Sequence, residues 1–205
     1  MALVLDMSMS LDGFIAGPRD DADNGLGIGG HRLHAWLADG DGVEPRSYRP
    51  DGPSGEVFDE MLATGAVLVG RRTFDIAGRW GGDHHDGVPI FVPTHQPPDD
   101  PPTGPATVTY VTDGIESAVA QAKAAAGDRN VMLHGAETAQ HCLRAGVLDE
   151  MEIHVVPVLL GQGRRLFDQL EAEAIELELT RVLDVPGVTH LHYRVEGARR
   201  EDGSS

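Results

Sequence analysis

Cysteine and aromatic residues are scarce in this sequence. It contains one cysteine, Cys142, among 205 residues, and aromatic residues make up 5% of the chain. One cysteine excludes an internal disulfide framework and fits a reducing compartment. No apolar run approaches the ~18 residues of a membrane-spanning helix, and Asp6 and Asp12 interrupt the apolar N-terminal residues where a signal peptide would have its core. We therefore expect a soluble protein of the cytoplasm.

Positive charge is also in short supply. The 33 acidic residues outnumber the 16 basic ones, which leaves a net charge of -17 at pH 7. Such a field repels nucleic acids and anionic membranes, so we expect neither as a partner. An anionic small molecule would have to be held by local arginines and backbone amides. The length and the 40% of hydrophobic residues fit one globular domain.

The segment from Gly65 to Trp80 has the features of an anion site. Ala66 to Val69 is a short apolar run, which predicts a buried strand. Gly70 closes the strand, and Arg71-Arg72-Thr73 follows where a helix would begin. The free N–H groups of a first helical turn, a glycine and two guanidinium groups together favour a phosphate. The alternative is an ordinary strand-to-helix turn with solvated arginines.

A second turn of this kind lies further along the chain. Asn130 to Leu133 is typical of a short strand, and His134-Gly135-Ala136-Glu137-Thr138 leads into a helix predicted from Ala139 to Ala145. The start of this helix again offers N–H groups without internal partners, a setting that suits a pyrophosphate. The sequence therefore predicts two phosphate cradles on one sheet.

The whole pattern predicts a mixed α/β sheet. The order is β, long loop, α, β, α, β, β, α, β, α, β and then an antiparallel pair around Pro186-Gly187. Two further helices are predicted, one with Ser54 as N-cap through about Ala63 and one from Gly114 to Ala126. The other predicted strands are 2–7, 89–92, 107–111, 149–160, 171–184 and 188–196. We expect one domain over residues 1–196 and a disordered polar tail over 197–205.

Residues 19–53 form a long loop dense in Asp, Gly and Pro, with only Arg32 to Leu37 helical in pattern. A loop of this length in a compact domain is often a lid or a binding loop. His31 and His34 would share one helical face, as a metal pair or as solvated or substrate-facing side chains. Trp36 is either a packing anchor or part of a pocket.

The other histidines do not predict a metal site. His84 and His85 are adjacent, and neighbouring side chains point to opposite sides of an extended chain. His190 and His192 share one face of a strand, and we expect them to face solvent rather than to bind a metal. The sequence therefore predicts no bound metal.

Several motifs, taken in order, resemble a known family. Residues 67–74, VLVGRRTF, resemble the strand and phosphate-binding turn of dihydrofolate reductases. Residues 9–16, 149–153 and 157–163 add a resemblance to the reductase domain of bifunctional riboflavin-biosynthesis enzymes, the RibD C-terminal, dihydrofolate-reductase-like family. The resemblance covers about Leu3 to Val195. It implies a three-layer dihydrofolate-reductase-like α/β fold, whose mixed, mostly parallel sheet is flanked by helices and ends in an antiparallel hairpin.

The resemblance implies NADPH bound along the carboxyl edge of the sheet. The 2'-phosphate and pyrophosphate would be held after Gly70 by Arg71, Arg72 and Thr73. The adenosine would lie by Thr94 and His95. The second cradle would consist of His134, Gly135, Ala136, Glu137 and Thr138. The nicotinamide would be flanked by Ser8, Ile15 and Ala16. The candidate catalytic residue is Asp12, whose loop would close over the nicotinamide, and the candidate substrate residues are Asp12, His34 and Trp36.

The resemblance also implies an activity. The riboflavin-pathway domain reduces the ribose of 5-amino-6-(5-phosphoribosylamino)uracil, and we expect a stand-alone NADPH-dependent reductase of that type for a small-molecule substrate. The zinc signature of the deaminase half is absent from the sequence. Family members are often dimeric, which implies a homodimer, with Ile153 to Val158 in the interface or in the core. The alternatives are a non-catalytic module that binds a nucleotide or small ligand, and a dihydrofolate-reductase-like enzyme.

Two departures from the family pattern bear on the site. Family members usually carry a run of glycines at the second cradle, whereas His134 precedes Gly135 here and Ala136 follows it. Dihydrofolate reductases carry a carboxylate on the helix after the first loop, and here that region is an acidic loop in which spacing assigns no such carboxylate. A substrate phosphate would have to find its partners among Arg19, Arg32, Arg46 and Arg49.

Overall fold

An eight-stranded sheet forms the centre of the molecule. The computed structural model describes residues 1–37, 49–168, 170 and 174–197. Its strands are β1 Leu3–Ser10, β2 Phe14–Ala16, β3 Ala66–Val69, β4 Ile90–Pro93, β5 Val108–Val111, β6 Val131–His134, β7 Glu150–Val156, β8 Arg164–Arg165, β9 Leu177–Val185 and β10 Val188–Val195. Its α-helices are α1 Gly52–Leu62, α2 Arg71–Ile76, α3 Ile115–Ala126 and α4 Ala136–Ala145. Among the described residues, 3-10 segments span Gly30–Leu37 and Gly78–Gly82, and Arg79, Trp80 and Gly81 in the second have left-handed dihedral angles.

The sheet is mixed and mostly parallel, as predicted. Its strand order is β5-β4-β3-β6-β1-β7-β10-β9. The first six of these strands pair in parallel, and β10 pairs antiparallel with both β7 and β9. The strands β2 and β8 form a separate small antiparallel pair. The predicted antiparallel hairpin at the C-terminal end of the sheet is therefore confirmed.

Helices cover both faces of the sheet, which explains why β3 is apolar throughout. All four residues of β3 are fully buried, and they alternate between two clusters. Ala66 and Leu68 belong to the main core, which also takes in buried residues of α3 and α4, whereas Val67 and Val69 pack in a second cluster with Phe74 of α2. Parallel strands buried on both faces are typical of three-layer α/β folds.

The structure corrects several predicted boundaries. The first helix begins at Gly52 with Asp51 as N-cap, because Pro53 fits the first helical turn. Ser54 therefore lies inside α1. The strand predicted over 149–160 ends at Val156, before Pro157, and the predicted turn at Arg164-Arg165 is a short strand.

Parts of the predicted long loop and tail lie outside the described residues. Within the loop, the helical segment is the 3-10 helix Gly30–Leu37, and the candidate Arg46 falls among residues that are not described. Of the predicted tail, only Gly197 is described. The strand predicted over 171–184 begins at Leu177, because residues 174–176 are not in a strand, and residues 171–173 lie outside the described ranges. No helix in the described ranges is long and apolar enough to cross a membrane.

Candidate functional site

The two predicted cradles lie side by side at the carboxyl edge of the sheet. The strands that lead into them, β3 and β6, are neighbours in parallel register. The Gly70 N–H donates to the His134 carbonyl at 3.3 Å. A Cβ added to Gly70 would overlap the Thr138 hydroxyl, and one added to Gly135, whose φ is +98°, would lie 2.6 Å from the Thr73 Oγ1. Only glycines allow the two turns to pack this closely.

The two predicted phosphate-binding arginines are both paired with carboxylates. The Arg71 Nε lies 2.5 Å from the Asp75 carboxylate, and its Nη1 donates to the Gln96 carbonyl at 3.0 Å. The Arg72 Nη2 lies 3.2 Å from the Asp20 carboxylate. The two guanidinium groups therefore contact different segments of the chain, and Arg71 lies beside the segment that contains Thr94 and His95.

Asp20 joins this edge of the sheet to the segment after β7. Its carboxylate accepts from the Arg164 Nε at 2.8 Å in addition to its ion pair with Arg72. Burial acts to raise the pKa of Asp20, but the hydrogen bonds and charges of Arg164 and Arg72 outweigh it and lower the pKa. An ionised Asp20 thus holds the predicted long loop against α2.

Asp12 fastens the N-terminal loop to the chain beyond β7. Its carboxylate accepts hydrogen bonds from the Ser10 hydroxyl at 2.6 Å and from the backbone N–H groups of Leu160 at 3.1 Å and Gly161 at 2.7 Å. The hydrogen bond from Ser10 is the largest cause of a lowered Asp12 pKa. The neighbouring candidates Ile15 and Ala16 are buried in β2. These contacts favour an ionised Asp12 with a positioning role.

The structure brings two predicted residues together at β1. The Trp36 Nε1 donates to the Ser8 Oγ at 2.9 Å. The Trp36 ring also packs against His154 and His190, with centroid separations of 4.6 and 4.9 Å. Trp36 thus lies where a candidate nicotinamide residue meets a buried pair of histidines.

The polar residues beneath Trp36 form two rows across β1, β7 and β10. One row contains Ser8, His154 and His190, and the other contains Asp6, Glu152 and His192. His154 and His190 are each 1% exposed. The expectation that His190 faces solvent is therefore wrong, because Ser54 of α1 and Trp36 of the 3-10 helix cover it. The alternation of polar residues in otherwise apolar strands was the available signal.

A hydrogen-bond chain runs through the first row. The His154 Nε2 lies 3.3 Å from the Asp6 Oδ1, the two Nδ1 atoms of His154 and His190 are 2.8 Å apart, and the His190 Nε2 lies 3.0 Å from the Ser54 Oγ. A carboxylate only accepts, so His154 donates to Asp6 through Nε2, His190 donates to His154, and Ser54 donates to His190. Burial lowers the pKa of His190 to about 4, which keeps its ring neutral at pH 7.

His134 and His34 form the other histidine group near β1. The His134 Nδ1 donates to the Asp6 carbonyl at 2.9 Å, and its Nε2 is buried without a hydrogen-bond partner in the described part of the chain. Burial, followed by the charges of His134 and His154, lowers the pKa of His34 to about 4. His134, a candidate cofactor residue, and His34, a candidate substrate residue, therefore interact electrostatically.

The chain after α2 adopts a left-handed conformation next to this group. Arg79 and Trp80 have φ values of 54° and 48°, which are uncommon for residues with a Cβ and cluster at functional sites. Trp80 packs edge-on against His84 at 4.5 Å between ring centroids. His84 and His85 do not point apart as predicted, because the chain turns there and their Nδ1 atoms are 2.7 Å apart.

The comparison with known proteins identifies the family. The model of the RibD C-terminal domain matches residues 1–191. The chain belongs to the RibD C-terminal domain family. A curated relative, the uncharacterized protein YwjB of Bacillus subtilis strain 168, is 31% identical over 86 residues, which are 42% of this chain. The match spans about half of that relative, 49% of its length.

Solved structures support the same fold for this RibD C-terminal domain. A riboflavin biosynthesis protein described as putative, from Shewanella sp. PV-4, superposes with a TM-score of 0.72 at 23% identity, over 96% of this chain and 99% of that one. The Thermotoga maritima deaminase/5-amino-6-(5-phosphoribosylamino)uracil reductase has a TM-score of 0.61 at 15% identity, over 95% of this chain and 56% of that one. Dihydrofolate reductase from Enterococcus faecalis, complexed with NADP(H), has a TM-score of 0.56 at 14% identity, over 95% of this chain and 96% of that one.

Proposed function

We propose that this protein is an NADPH-dependent reductase of the riboflavin-pathway type, acting on a small heterocyclic or sugar-linked substrate. The observation that carries the proposal is the pair of facing turns, Gly70 and Gly135, at the carboxyl edge of the sheet of a RibD C-terminal domain. Ligands of open α/β sheets bind outside the carboxyl ends of the strands. The dihydrofolate reductase with this fold is complexed with NADP(H).

The residues at the turns fit a cofactor with several phosphates. The first-turn N–H groups of α4 and the hydroxyls of Thr73 and Thr138 can all donate to phosphate oxygens, and they lie in one small region. Arg71 and Arg72 flank that region, and a phosphate would take the place of their present carboxylate partners. NADPH, when bound, supplies the hydride, while the protein orients the reactants and excludes water.

We assign the substrate side to Trp36, His34 and His134. The His134 ring has its tautomer set by the bond to the Asp6 carbonyl, which leaves its buried Nε2 as an acceptor. A substrate hydroxyl or amide group would reach this atom once the Trp80 or His84 ring, which packs against His134, moves aside. The lowered pKa of His34 leaves a second neutral ring nearby. Asp12 suits loop closure better than proton donation, because three donors stabilise its ionised form.

The test is a titration of the purified protein with NADPH and with NADH, followed by protein fluorescence and thermal shift. We expect tighter binding of NADPH. The double variant Arg71→Ala/Arg72→Ala should weaken it about tenfold to a hundredfold, since a hydrogen bond to a charged group contributes about 1.5–3 kcal/mol. Arg194→Ala, which removes an exposed arginine paired with Glu178, is the matched control and should bind NADPH normally.

Two outcomes would contradict the proposal. Absence of binding by either nucleotide would remove the oxidoreductase assignment. Binding of NADPH without turnover of the phosphoribosylamino-uracil, of dihydrofolate or of any compound in a screen of small heterocyclic and sugar-linked substrates would favour the non-catalytic ligand-binding module.

We also propose a cytoplasmic homodimer. Ile153 is 3% exposed and β7 lies inside the sheet, so this strand belongs to the core. The exposed apolar residues Leu177, Leu179 and Val182 lie on β9, an edge strand that can pair with a second copy. Light scattering should give twice the 21.9 kDa mass of one chain. A monomer would contradict this proposal.

A further inference from the structure

Three side chains with metal-binding atoms converge on the covered face of the sheet. Glu152 and His154 are two residues apart on β7 and so share one face, and His190 lies directly opposite His154 on β10. One ligand atom of each lies within 4.8 Å of the other two. The three residues are 6%, 1% and 1% exposed, so this arrangement is not a chance cluster of surface acids.

The two imidazole rings are oriented as metal ligands usually are. Each ring uses its Nε2 on a partner outside the group, His154 on the Asp6 carboxylate and His190 on the Ser54 hydroxyl. Both Nδ1 atoms consequently face each other across 2.8 Å. Histidines that bind metals almost always donate the far N–H to a carboxylate, a backbone carbonyl or a water, which fixes the ring. His154 does so already, and His190 does so once its proton lies on Nε2.

Glu152 supplies the observation that points to a cation ligand. Its Oε2 accepts from the Arg181 Nη2 at 3.2 Å, but its Oε1 is buried and has no hydrogen-bond partner among the described residues. Glu152 also lines a cavity of about 80 Å³ together with Asp6 and His192, and His154 and His190 lie outside that lining. A buried carboxylate oxygen without a partner is costly, and a cation at this point would remove that cost.

We propose that Glu152, His154 and His190 bind one divalent transition-metal ion of the zinc type. Two imidazole nitrogens and one carboxylate oxygen would be the protein ligands, and a water would be the fourth. Such a set is a known zinc environment with an open position. The inference does not depend on the proposed NADPH chemistry.

Metal binding requires the two rings to separate and to turn, because their Nδ1 atoms now face each other in a hydrogen bond. Tetrahedral zinc with Zn–N bonds of 2.0–2.1 Å holds two nitrogens about 3.3 Å apart, so the Nδ1 atoms must separate by about 0.5 Å from 2.8 Å. The proton on the His190 Nδ1 moves to its Nε2, which then donates to the Ser54 hydroxyl instead of accepting from it. His190 stays neutral, and both Nδ1 lone pairs become available to the metal.

The first experiment uses the untagged full-length protein. Its metal content after purification is measured by mass spectrometry, and the chelator-stripped protein is then titrated with Zn²⁺ and with Co²⁺. We expect one equivalent of either metal and the intense visible bands of tetrahedral Co²⁺. Absence of stoichiometric binding by the wild-type protein would overturn the proposal and leave a purely hydrogen-bonded network.

Variants locate the site. Glu152→Gln, His154→Asn and His190→Asn should each abolish stoichiometric binding, and Asp6→Asn should weaken it about 10- to 100-fold through its effect on His154. His141→Asn, which changes an exposed histidine on α4, is the matched control and should bind normally. Binding that survives the three ligand variants and is lost in His84→Asn would place the metal elsewhere and refute the assignment. Far-ultraviolet circular dichroism identifies any variant that does not fold. The wild-type metal titration tests the proposal even if a variant fails to fold.

Discussion

Gly135→Ala tests the close packing of the two turns. The backbone of Gly135, with φ of 98° and ψ of 139°, lies near a region that is essentially restricted to glycine, at a cost of about 1–3 kcal/mol for another residue. The new Cβ would also lie 2.6 Å from the Thr73 Oγ1. Forcing an extra methyl group into a packed site costs about another 1–3 kcal/mol.

A second glycine separates the two contributions. Gly114 precedes α3 as Gly135 precedes α4, and its φ of 105° is similar, but a Cβ there would meet nothing within 4 Å. Gly114→Ala should therefore lower the free energy of unfolding only by the cost of placing alanine in this backbone conformation, about 1–3 kcal/mol. Gly135→Ala should lose about 1–3 kcal/mol more.

The assay is urea denaturation of both variants, with the free energy of unfolding extrapolated to water. Adding Thr73→Ala to Gly135→Ala removes the hydroxyl that the new methyl group would strike. The double variant should therefore recover much of the extra loss. Equal destabilisation by Gly114→Ala and Gly135→Ala, or no recovery with Thr73→Ala, would refute the close packing of the cradles.

Two further predictions concern single contacts. Ser54→Ala leaves the buried His190 Nε2 without its donor and should lower the free energy of unfolding by about 1–3 kcal/mol. The control is Ser117→Ala on α3, a half-buried serine whose hydrogen bonds lie at the surface, and it should change that free energy by at most about 0.5 kcal/mol. Equal small losses in urea denaturation would contradict the hydrogen bond. The lowered pKa of Asp12 means that this carboxyl stabilises the fold above its ordinary pKa of 3.8 and that this stabilisation is lost as the pH falls through the lower, folded-state value. When the pH falls below 3.8, the free energy of unfolding of Asp12→Asn should accordingly decrease less than that of the wild-type protein. The same pH dependence in both proteins would show that the Asp12 contacts do not contribute.

Local sequence patterns were sufficient for the elements around the cradles. The apolar run Ala66 to Val69, closed by Gly70, predicted β3 with its observed bounds. The pattern around Gly135 predicted a strand and a helix, although α4 begins at Ala136 rather than Ala139. Such signals lie within a few neighbouring residues, so no knowledge of the rest of the chain is needed to use them.

The role of Ser54 shows the limit of local reasoning. Serine is a favoured N-cap, but Pro53 also favours the first helical turn, and the helix begins before both. Once Ser54 lies inside α1, its hydroxyl faces the sheet and meets His190, 136 residues further along the chain. A contact of this separation depends on how α1 packs, and propensity does not determine that.

The sequence by itself determined the α/β class, the two glycine turns and the resemblance that the family match confirmed, because these depend on short apolar runs and on residues in a fixed order. Only the tertiary structure decided which faces are covered. His190 and His192 are two residues apart and therefore lie on the same side of β10. The burial of His190 follows from α1 and from the 3-10 helix Gly30–Leu37, which pack over it. Likewise, Gly70 and Gly135 meet because β3 and β6 are paired in the sheet. Strand pairing and helix packing join residues that are distant in sequence, and these contacts assemble the candidate site.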